Sequence, residues 1–460
     1  MGKSLARPAL GLAVVCLGTV GAALDSAVNI ALPSISGAFG IEIQDIRWIV
    51  IAYVLTYSSL LLIFGKLGDL FGYRLIFRLG LIVSAAGFAA CSFAPQYGLL
   101  LAGRMLQGVG IALTLSCAPA LATTLYDERE RTRVLAIYAA ATAAANALGP
   151  IAGGLLVDRF GWSAVFWARA PLALAALALS FLIPQSIKRP MPGQFDLVGA
   201  LLLVIWLAAL LLGVAAASTN IGIGVFLGLM GLAVVTFAVF VLHERRHPEP
   251  IIQPALFANF DFTAINLISI AVNYAAFSIL LLVPYYLARV RGLDAGAGGL
   301  LLALAAIGTV CGSSLAGRVG KHVAVGRLTL AGIALSLAGH FGIAAFTRSA
   351  DVLPVAVAML IQGFGLGLFQ VAYVDRVLAV LPLKDRGVAG SLAMVTRTIG
   401  VVAAATGHSA LHRMIERTAL AAGATPRDAF LAGFEMTFGV AALVVLAALL
   451  LAMLRPGTWR

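Results

Sequence analysis

Residues 65–78 read Gly65-Lys66-Leu67-Gly68-Asp69-Leu70-Phe71-Gly72-Tyr73-Arg74-Leu75-Ile76-Phe77-Arg78, and they decide the fold. The stretch is short and charged, and a long apolar run lies on each side of it. A connection of this length predicts two helices that turn straight back across a membrane. Its glycines allow close backbone approach and positive φ, and basic residues surround Asp69 and can pair with it.

The composition indicates an integral membrane protein. The 460 residues are 62% hydrophobic and 11% charged, which is more apolar than a soluble domain needs to be. A helix that crosses the bilayer needs about 20 apolar residues. Fourteen runs meet this need, at 9–31, 46–65, 75–94, 98–125, 134–157, 162–184, 197–217, 221–242, 262–288, 296–317, 324–347, 352–381, 388–411 and 430–454. We therefore predict an all-α membrane fold with fourteen transmembrane helices.

The distribution of basic residues predicts the topology. The formal net charge is +12, but about 20 of the 31 basic residues lie in alternate loops and roughly 8 in the opposite ones. This positive-inside pattern predicts a multi-pass protein of the bacterial cytoplasmic (inner) membrane with both termini in the cytoplasm. The same pattern argues against a nucleic-acid partner.

Residue types that carry catalysis or bind metals are not grouped in this sequence. The four cysteines lie inside apolar runs at spacings that fit neither a metal site nor a disulfide framework. No phosphate-binding G-x-x-x-x-G-K-[ST] loop is present, and no cluster of carboxylates, histidines or cysteines marks one membrane face. We predict a protein that is not an enzyme or a receptor and that uses neither a metal nor a cofactor.

The apolar runs divide as six, two and six. We predict an N-terminal six-helix bundle at 1–185, a linker with two extra helices at 186–250, and a C-terminal six-helix bundle at 251–460. Pro190 and Pro192 interrupt the polar link after the first bundle. A weak repeat supports two pseudo-symmetric halves, since the glycines and basic residues of 317–327 occupy the place that 65–74 holds in the first half.

The pattern G-x-L-x-D-x-x-G-x-R in the opening stretch resembles the loop between helices 2 and 3 of the major facilitator superfamily of secondary transporters. The matching conformational-loop residues include Gly65, Asp69, Gly72 and Arg74. The resemblance implies two six-helix bundles with substrate bound at mid-membrane between them. It also implies that Asp69 and its basic neighbours latch the cytoplasmic side in the outward-facing state.

A second resemblance lies in the first apolar run, at Leu24-Asp25-Ser26-Ala27-Val28-Asn29-Ile30-Ala31-Leu32-Pro33. It is similar to the L-D-x-T-x-V-N-x-A-L-P signature of the fourteen-spanner drug:proton antiporter branch, but it lacks the threonine and differs in spacing. Asp25 and Asn29 share a helix face. A carboxylate in an apolar span is costly and normally faces a cavity or a partner. Asp25 is therefore either a proton-coupling residue or a structural hydrogen-bonding aspartate.

Two further elements extend the resemblance. In helix 4, Arg104-Met105-Leu106-Gln107-Gly108-Val109-Gly110 resembles the family's R-x-x-Q-G-x-G element, which implies proton coupling for Arg104; a structural arginine bonded to backbone carbonyls is the alternative. In helix 5, residues 145–154 resemble the antiporter signature G-x-x-x-G-P-x-x-G-G, with Ala145 in place of the first glycine. The matching residues are Gly149, Pro150, Gly153 and Gly154.

Other polar residues of the apolar runs are weaker candidates. Asp375 and Glu435 are candidates for additional proton-coupling residues. The candidates for a substrate cavity are Asn29, Gln107, Asn146, Arg169, Asn273 and Arg397. Ordinary packing is the alternative for Asn146 and Asn273, and outward snorkelling of the side chain is the alternative for Arg169. Arg169 precedes Ala170-Pro171 where the family more often has asparagine, and a cation facing the cavity would disfavour cationic drugs.

The function that follows is proton-coupled export of hydrophobic or amphipathic small molecules, of the multidrug efflux type, by alternating access. The energy source would be the proton gradient, without a cofactor. The alternative is a dedicated exporter of one metabolite or siderophore-like compound, which Arg169 slightly favours. The expected partners are the substrate, protons and the lipid bilayer. We expect a monomer, and the sequence leaves open whether a periplasmic adaptor binds to it.

Overall fold

A computed structural model describes residues 2–126, 130–183, 196–216, 223–247, 259–320, 322–348, 351–380 and 386–454. Every regular element in these ranges is helical, which confirms the all-α prediction. The first eight helices are α1 (Gly2–Ala23), α2 (Ser26–Phe39), α3 (Ile43–Phe71), α4 (Tyr73–Ser92), α5 (Tyr97–Thr124), α6 (Arg131–Phe160), α7 (Ala164–Trp167) and α8 (Ala170–Ser180). The other α-helices are α9 (Leu197–Ala216), α10 (Ile223–Glu244), α11 (Phe260–Tyr285), α12 (Ala295–Val319), α13 (Val325–Phe346), α14 (Leu353–Val380), α15 (Arg386–Ala421) and α16 (Pro426–Leu454), and a short π-helix at Tyr286–Val290 follows α11.

Many of these helices can span a membrane. Within the described ranges, 10 segments are long and apolar enough to do so. Two shorter apolar segments are Ala164–Ser180, which runs through α7 and α8, and Leu197–Leu210, which lies within α9. The first candidate span runs from Pro8 to Phe39 through α1 and α2, so the predicted run 9–31 ends too early. The multi-pass architecture is confirmed, and the number of fourteen spans stays a prediction.

The connection between α3 and α4 is shorter than the sequence suggested. α3 continues to Phe71 and α4 begins at Tyr73, so Gly72 alone separates them. Gly72 has φ 94°, a conformation that favours glycine because it has no Cβ. Gly65 and Gly68 are instead helical, and Gly68 serves close packing: a Cβ built on it would lie 2.7 Å from Cys117 Sγ.

The chain divides into two compact units. Unit 1 comprises residues 1–41 and 48–204, and unit 2 comprises residues 42–47 and 205–460. The predicted domain boundaries at 185/186 and 250/251 lie outside the described residues and stay predictions.

Glycines bring helices together within each unit. In unit 1, α4 packs against α5, and a Cβ built on Gly87 would lie 2.6 Å from the backbone nitrogen of Gln107. In unit 2, α14 packs against α12 and α13, and a Cβ on Gly332 would lie 2.7 Å from the backbone nitrogen of Phe369. Small residues allow this approach in membranes, where helices associate through van der Waals packing. These glycines therefore let the backbone of α4 approach that of α5, and the backbone of α13 approach that of α14.

Candidate functional site

The span formed by α1 and α2 is interrupted at Asp25. α1 ends at Ala23 and α2 begins at Ser26, so Asp25 occupies the N-cap position of α2. Its side chain makes no capping hydrogen bond to the α2 backbone. The carboxylate instead bonds side chains from other helices of unit 1.

Arg104 of α5 forms a two-point ion pair with Asp25. Arg104 Nη1 lies 2.6 Å from Asp25 Oδ1, and Nη2 lies 2.9 Å from Oδ2. Arg104 Nε donates to the backbone carbonyl of Ile49 on α3 at 3.0 Å. A planar guanidinium matches a carboxylate in this geometry, so the pair fixes the orientation of both groups. The structure thus brings together two residues that the sequence selected separately.

Gln107 forms hydrogen bonds with both Asp25 and Arg104. It lies three residues after Arg104 on α5, and its Oε1 accepts a hydrogen bond from Arg104 Nη1 at 2.8 Å. Its Nε2 donates to Asp25 Oδ1 at 3.0 Å. The amide therefore donates to the anion and accepts from the cation. Sequence analysis proposed Gln107 as a cavity residue, and the structure places it in this network.

Arg169 is a second cation on the same carboxylate. It lies between the short helix α7 and α8, and its Nη1 donates to Asp25 Oδ1 at 2.7 Å. Its Nε donates to the carbonyl of Val165 at 2.7 Å, which anchors the side chain to its own segment. Nη1 also approaches the carbonyl of Gly21 at 3.4 Å. The sequence marked Arg169 as a departure from the family but gave no sign that it bonds Asp25.

Aromatic rings surround the two guanidinium groups. The central carbon of the Arg104 guanidinium lies 4.2 Å from the ring centroid of Tyr53, and that of Arg169 lies 4.7 Å from the ring of Phe88. The ring of Phe166 lies within 5.8 Å of the first and 5.4 Å of the second. Such contacts stabilise a cation away from water. Sequence analysis missed these aromatic residues because no motif distinguishes them from other rings in apolar runs.

We call Asp25, Arg104, Gln107 and Arg169 the Asp25 cluster. With the carboxylate ionised, one negative and two positive groups give it a net charge of +1. Asp25 Oδ1 accepts three hydrogen bonds and Oδ2 accepts one. The side chain of Asp25 is 16% exposed, against 1% for Arg104 and 2% for Arg169. The carboxylate is thus the accessible part of the cluster's charge, and donors from unit 1 already occupy it.

The glycine-rich element of α6 packs directly beside this cluster. Ser26 Oγ donates to the carbonyl of Asn146 at 2.9 Å. A Cβ built on Gly149 would collide with Ser26 Oγ, and one built on Gly153 would lie 2.7 Å from the Cβ of Ala27. Pro150 lies inside α6, and the matched motif residues of 149–154 are buried. α6 therefore contacts the start of α2 next to Asp25.

The sequence profile of the Major Facilitator Superfamily matches residues 14–405. The chain belongs to this superfamily. Its membership of this superfamily, together with the relatives described next, shows that the chain is a non-enzymatic transporter, as the sequence predicted.

Curated superfamily relatives resemble the chain over most of its length. A methylenomycin A resistance protein of Bacillus subtilis (strain 168) is 30% identical over 404 residues, which cover 85% of this chain and 84% of that protein. A riboflavin transporter of Clostridioides difficile (strain 630) is 27% identical, covering 84% of each. A multidrug efflux pump of Mycolicibacterium smegmatis (strain ATCC 700084 / mc(2)155) is 28% identical, covering 86% of this chain and 79% of the pump.

Solved superfamily structures agree on the fold. The crystal structure of a bacterial homologue of the human lysosomal transporter Spinster, inward-facing and unoccupied, has a TM-score of 0.73 and 15% identity over 98% of both chains. A transporter of the POT family has a TM-score of 0.69 and 13% identity over 98% of both chains. At these identities, the likeness concerns the fold alone.

The superfamily loop residues bind the end of α8. Arg74 Nη2 donates to the carbonyl of Phe181 at 3.0 Å, and Arg78 Nη2 donates to that of Ser180 at 2.8 Å. The Arg78 guanidinium also lies 4.1 Å from the Phe181 ring. Cations stabilise the carbonyl end of a helix. Asp69 belongs to α3, but its side chain lies outside what the structure describes, so the latch stays a prediction.

The remaining candidates lie apart from the Asp25 cluster in their contacts. Asn29 Nδ2 donates to the carbonyl of Ser26 at 3.2 Å, and the side chain of Asn146 is exposed. In unit 2, Asn273 Nδ2 donates to the carbonyl of Ser269 at 2.8 Å. Their roles as cavity residues stay predictions.

The acidic candidates of unit 2 lie in different surroundings. Asp375 on α14 is exposed, as is the cavity candidate Arg397 on α15. Glu435 on α16 pairs with Arg348, with Arg348 Nε 2.7 Å from Glu435 Oε1. Among the residues that the structure describes, neither acid is paired with two buried cations as Asp25 is, and the roles of both acids in proton coupling stay predictions.

Proposed function

We propose that this transporter is a proton-coupled exporter of amphipathic small molecules that works by alternating access. In this proposal it belongs to the fourteen-span antiporter branch and lies in the bacterial cytoplasmic membrane with both termini inside. The observation that carries the proposal is the Asp25 cluster. A carboxylate at a helix break, bonded to two other segments, can change its partners when it takes up or releases a proton.

The proposed coupling follows from the hydrogen bonds of Asp25. Two guanidinium groups balance the negative charge of Asp25, so a proton competes with them for the carboxylate and binds as they withdraw. A neutral carboxyl no longer attracts Arg104 or Arg169 as an ion, and the start of α2 loses its bonds to α5 and to the α7–α8 segment. Proton binding would thereby favour a different packing of these helices, as a two-state transporter requires.

The charge of the cluster indicates a substrate class. Cationic drugs would need an acid that is not already paired with cations of the protein, and both Arg104 and Arg169 pair with Asp25. The net charge of +1 also repels a cation. We therefore propose that neutral and anionic amphipathic molecules are preferred. A relative that is named as a riboflavin transporter suggests riboflavin as a test substrate.

Transport in proteoliposomes tests the proposal. The full-length protein is reconstituted, a pH gradient is imposed, and accumulation of riboflavin and of ethidium is measured with and without a protonophore. We expect protonophore-sensitive accumulation of riboflavin, a loss of gradient dependence in Asp25→Asn, and normal behaviour in the exposed control Asp428→Asn. Gradient-driven transport that persists in folded Asp25→Asn would rule out Asp25 as the coupling site.

Arg169→Asn tests the substrate preference. The variant removes one positive charge and leaves the two-point pair between Asp25 and Arg104. At an effective dielectric constant of about 20, a unit charge at about 7 Å contributes roughly 2 kcal/mol, so the ethidium-to-riboflavin transport ratio should rise at least about tenfold. An unchanged ratio would show that Arg169 does not set substrate charge.

A dedicated exporter of one metabolite is the second candidate. Arg169 favours it, because the two arginines that pair with Asp25 hold it in one fixed arrangement. A multidrug site would need a surface that adapts to different molecules. A competition panel against riboflavin transport separates the two. Inhibition by one chemical family would support the dedicated exporter, whereas inhibition by many unrelated amphipathic molecules would support multidrug efflux.

A further inference from the structure

Two arginines lie on one helix face at the end of unit 1 where α4 begins. Arg74 and Arg78 are four residues apart on α4 and half-buried, so their side chains lie on the same side of the helix. The positive-inside distribution predicts that this end of the unit faces the cytoplasm. Neither arginine belongs to the Asp25 cluster, and their surroundings indicate what they can bind.

The end of α8 holds both guanidinium groups in place. Arg74 donates through Nη2 to the carbonyl of Phe181. Arg78 donates through Nη2 to the carbonyl of Ser180, and through Nε to Ser180 Oγ at 3.0 Å. The two carbonyls belong to successive residues, so the two cations are neighbours. The Phe181 ring also lies against the Arg78 guanidinium, which restricts that side chain further.

The residues that the structure describes do not balance the positive charge of this pair. Their ion pairs involve other arginines, and neither Arg74 nor Arg78 contacts a carboxylate among them. A guanidinium has five N–H donors, and the hydrogen bonds to α8 use one donor of Arg74 and two of Arg78. The two neighbouring cations can therefore donate to the oxygens of an anion.

The helix surface beside the two arginines is apolar and exposed. On α4, Leu75, Leu79 and Ile82 share one face and are 50%, 42% and 49% exposed. At the end of α8, Phe181 and Leu182 are 64% and 60% exposed. In a membrane protein, such a surface contacts the acyl chains of lipids. An anion that carries acyl chains therefore fits both the charged and the apolar part of this surface.

The phosphate of a phospholipid suits this arrangement. The planar guanidinium group matches the geometry of phosphate oxygens. The bonds to α8 already fix both side chains, so little side-chain freedom is lost when the phosphate binds. Arginine stems lie along apolar surface while the charged group stays at the level of the lipid headgroups. Basic groups at the cytoplasmic ends of transmembrane helices bind anionic lipids for these reasons.

We propose that Arg74 and Arg78 form a binding site for one anionic phospholipid. The phosphate binds the two guanidinium groups, and an acyl chain lies along Leu75, Leu79 and Ile82. The lipid supplies negative charge to the neighbouring cations and thereby strengthens the contact between the start of α4 and the end of α8. The site concerns the membrane partner of unit 1, so it depends neither on proton coupling nor on the transported substrate.

Native mass spectrometry of the full-length protein tests the site. The delipidated protein is titrated with phosphatidylglycerol and, separately, with phosphatidylcholine of the same acyl chains, and the bound lipids are counted. We expect one phosphatidylglycerol to bind more tightly than any further copy and than phosphatidylcholine. A basic residue at the membrane surface strengthens the binding of an anionic lipid by about fivefold. Arg74→Gln and Arg78→Gln should therefore each weaken the first phosphatidylglycerol by about fivefold.

Arg133→Gln is the matched control. Arg133 is an exposed arginine of α6 that lies 3.9 Å from Glu130, and the predicted topology places it on the same side of the membrane. This variant loses the same charge but should bind phosphatidylglycerol as the wild type does. Equal weakening by Arg133→Gln would overturn the proposal, because it would show a general attraction between the lipid and a basic surface. Unchanged binding by folded Arg74→Gln and Arg78→Gln would also overturn it.

Two further measurements distinguish a lipid from a free anion and a specific effect from a general one. Inorganic phosphate should not displace the bound phosphatidylglycerol, because it cannot use the apolar surface of α4; displacement would overturn the assignment to a lipid. Phosphatidylglycerol in mixed micelles should raise the unfolding temperature of the wild type and of Arg133→Gln, but not that of the double variant Arg74→Gln with Arg78→Gln. An equal rise in all three proteins would contradict the proposal.

Discussion

The centres of the two units use different polar chemistry. In unit 1, the Asp25 cluster places three charges among aromatic rings. In unit 2, a network of neutral groups joins α11, α14 and α15: Tyr373 donates its hydroxyl to Asn266 Oδ1 at 3.0 Å and lies 3.3 Å from Thr396 Oγ1. Ser269 Oγ lies 3.1 Å from the same Thr396 atom. The Asp25 cluster can be switched by one proton, whereas this network of hydroxyl and amide groups mainly fixes the packing of its helices.

Of the variants considered, Asp25→Asn should have the largest effect on stability and transport. The substitution leaves Arg104 and Arg169 buried without an anion, and removing one partner of a buried ion pair destabilises a protein by about 3–5 kcal/mol. We expect a clear fall in the unfolding temperature in detergent, together with the transport defect described above.

The double variant Asp25→Asn with Arg169→Asn sharpens the test. It removes one cation along with the anion and should recover part of the lost stability, because fewer charges stay unbalanced. If the double variant is less stable than Asp25→Asn alone, the balance of charges does not determine the stability of the Asp25 cluster.

Gly149→Ala should have an intermediate effect. The added Cβ collides with Ser26 Oγ at the start of α2, and overpacking typically destabilises by about 1–3 kcal/mol. Since α2 begins next to Asp25, transport should also fall. Gly37→Ala on α2 is the matched control, because a Cβ there meets nothing within 4 Å. Equal behaviour of the two variants in thermal unfolding and transport would show that the contact between α2 and α6 is not tight.

Tyr373→Phe in unit 2 should have the smallest effect. It removes one hydroxyl and leaves Asn266 Oδ1 without that donor, which should destabilise unit 2 by about 1 kcal/mol. Gradient-driven transport should be retained, since no charge changes. A loss of coupling as large as that of Asp25→Asn would erase the proposed distinction between the units.

The sequence predicted the charged centre better than the neutral one. Asp25 and Arg104 stand out because charges in apolar runs are rare, and the multi-helix membrane fold follows from the same runs. Their pairing, and the role of Arg169, could not be predicted, because they depend on how α2, α5 and the α7–α8 segment meet. Residues such as Tyr373 and Thr396 gave no signal, since hydroxyl groups are common in membrane helices.

The turn after α3 shows why helix ends were predicted poorly. Charged and glycine residues before Gly72 suggested a loop, but α3 continues to Phe71. Long basic side chains reach past a helix end to carbonyls and solvent, as Arg74 and Arg78 do toward the end of α8, so charge alone does not mark where a helix stops. The positive φ of Gly72 is the feature that ends α3.

The single residue between α3 and α4 also bears on how the two helices are inserted into the membrane during biosynthesis. A partly inserted state, with α3 in the bilayer and α4 outside it, would have to bend at Gly72, because this residue alone separates Phe71 from Tyr73. We therefore expect α3 and α4 to enter the membrane together as a hairpin, with Arg74 and Arg78 retained on the side from which the chain enters. Glycosylation mapping of truncated nascent chains would show both helices integrating at the same chain length.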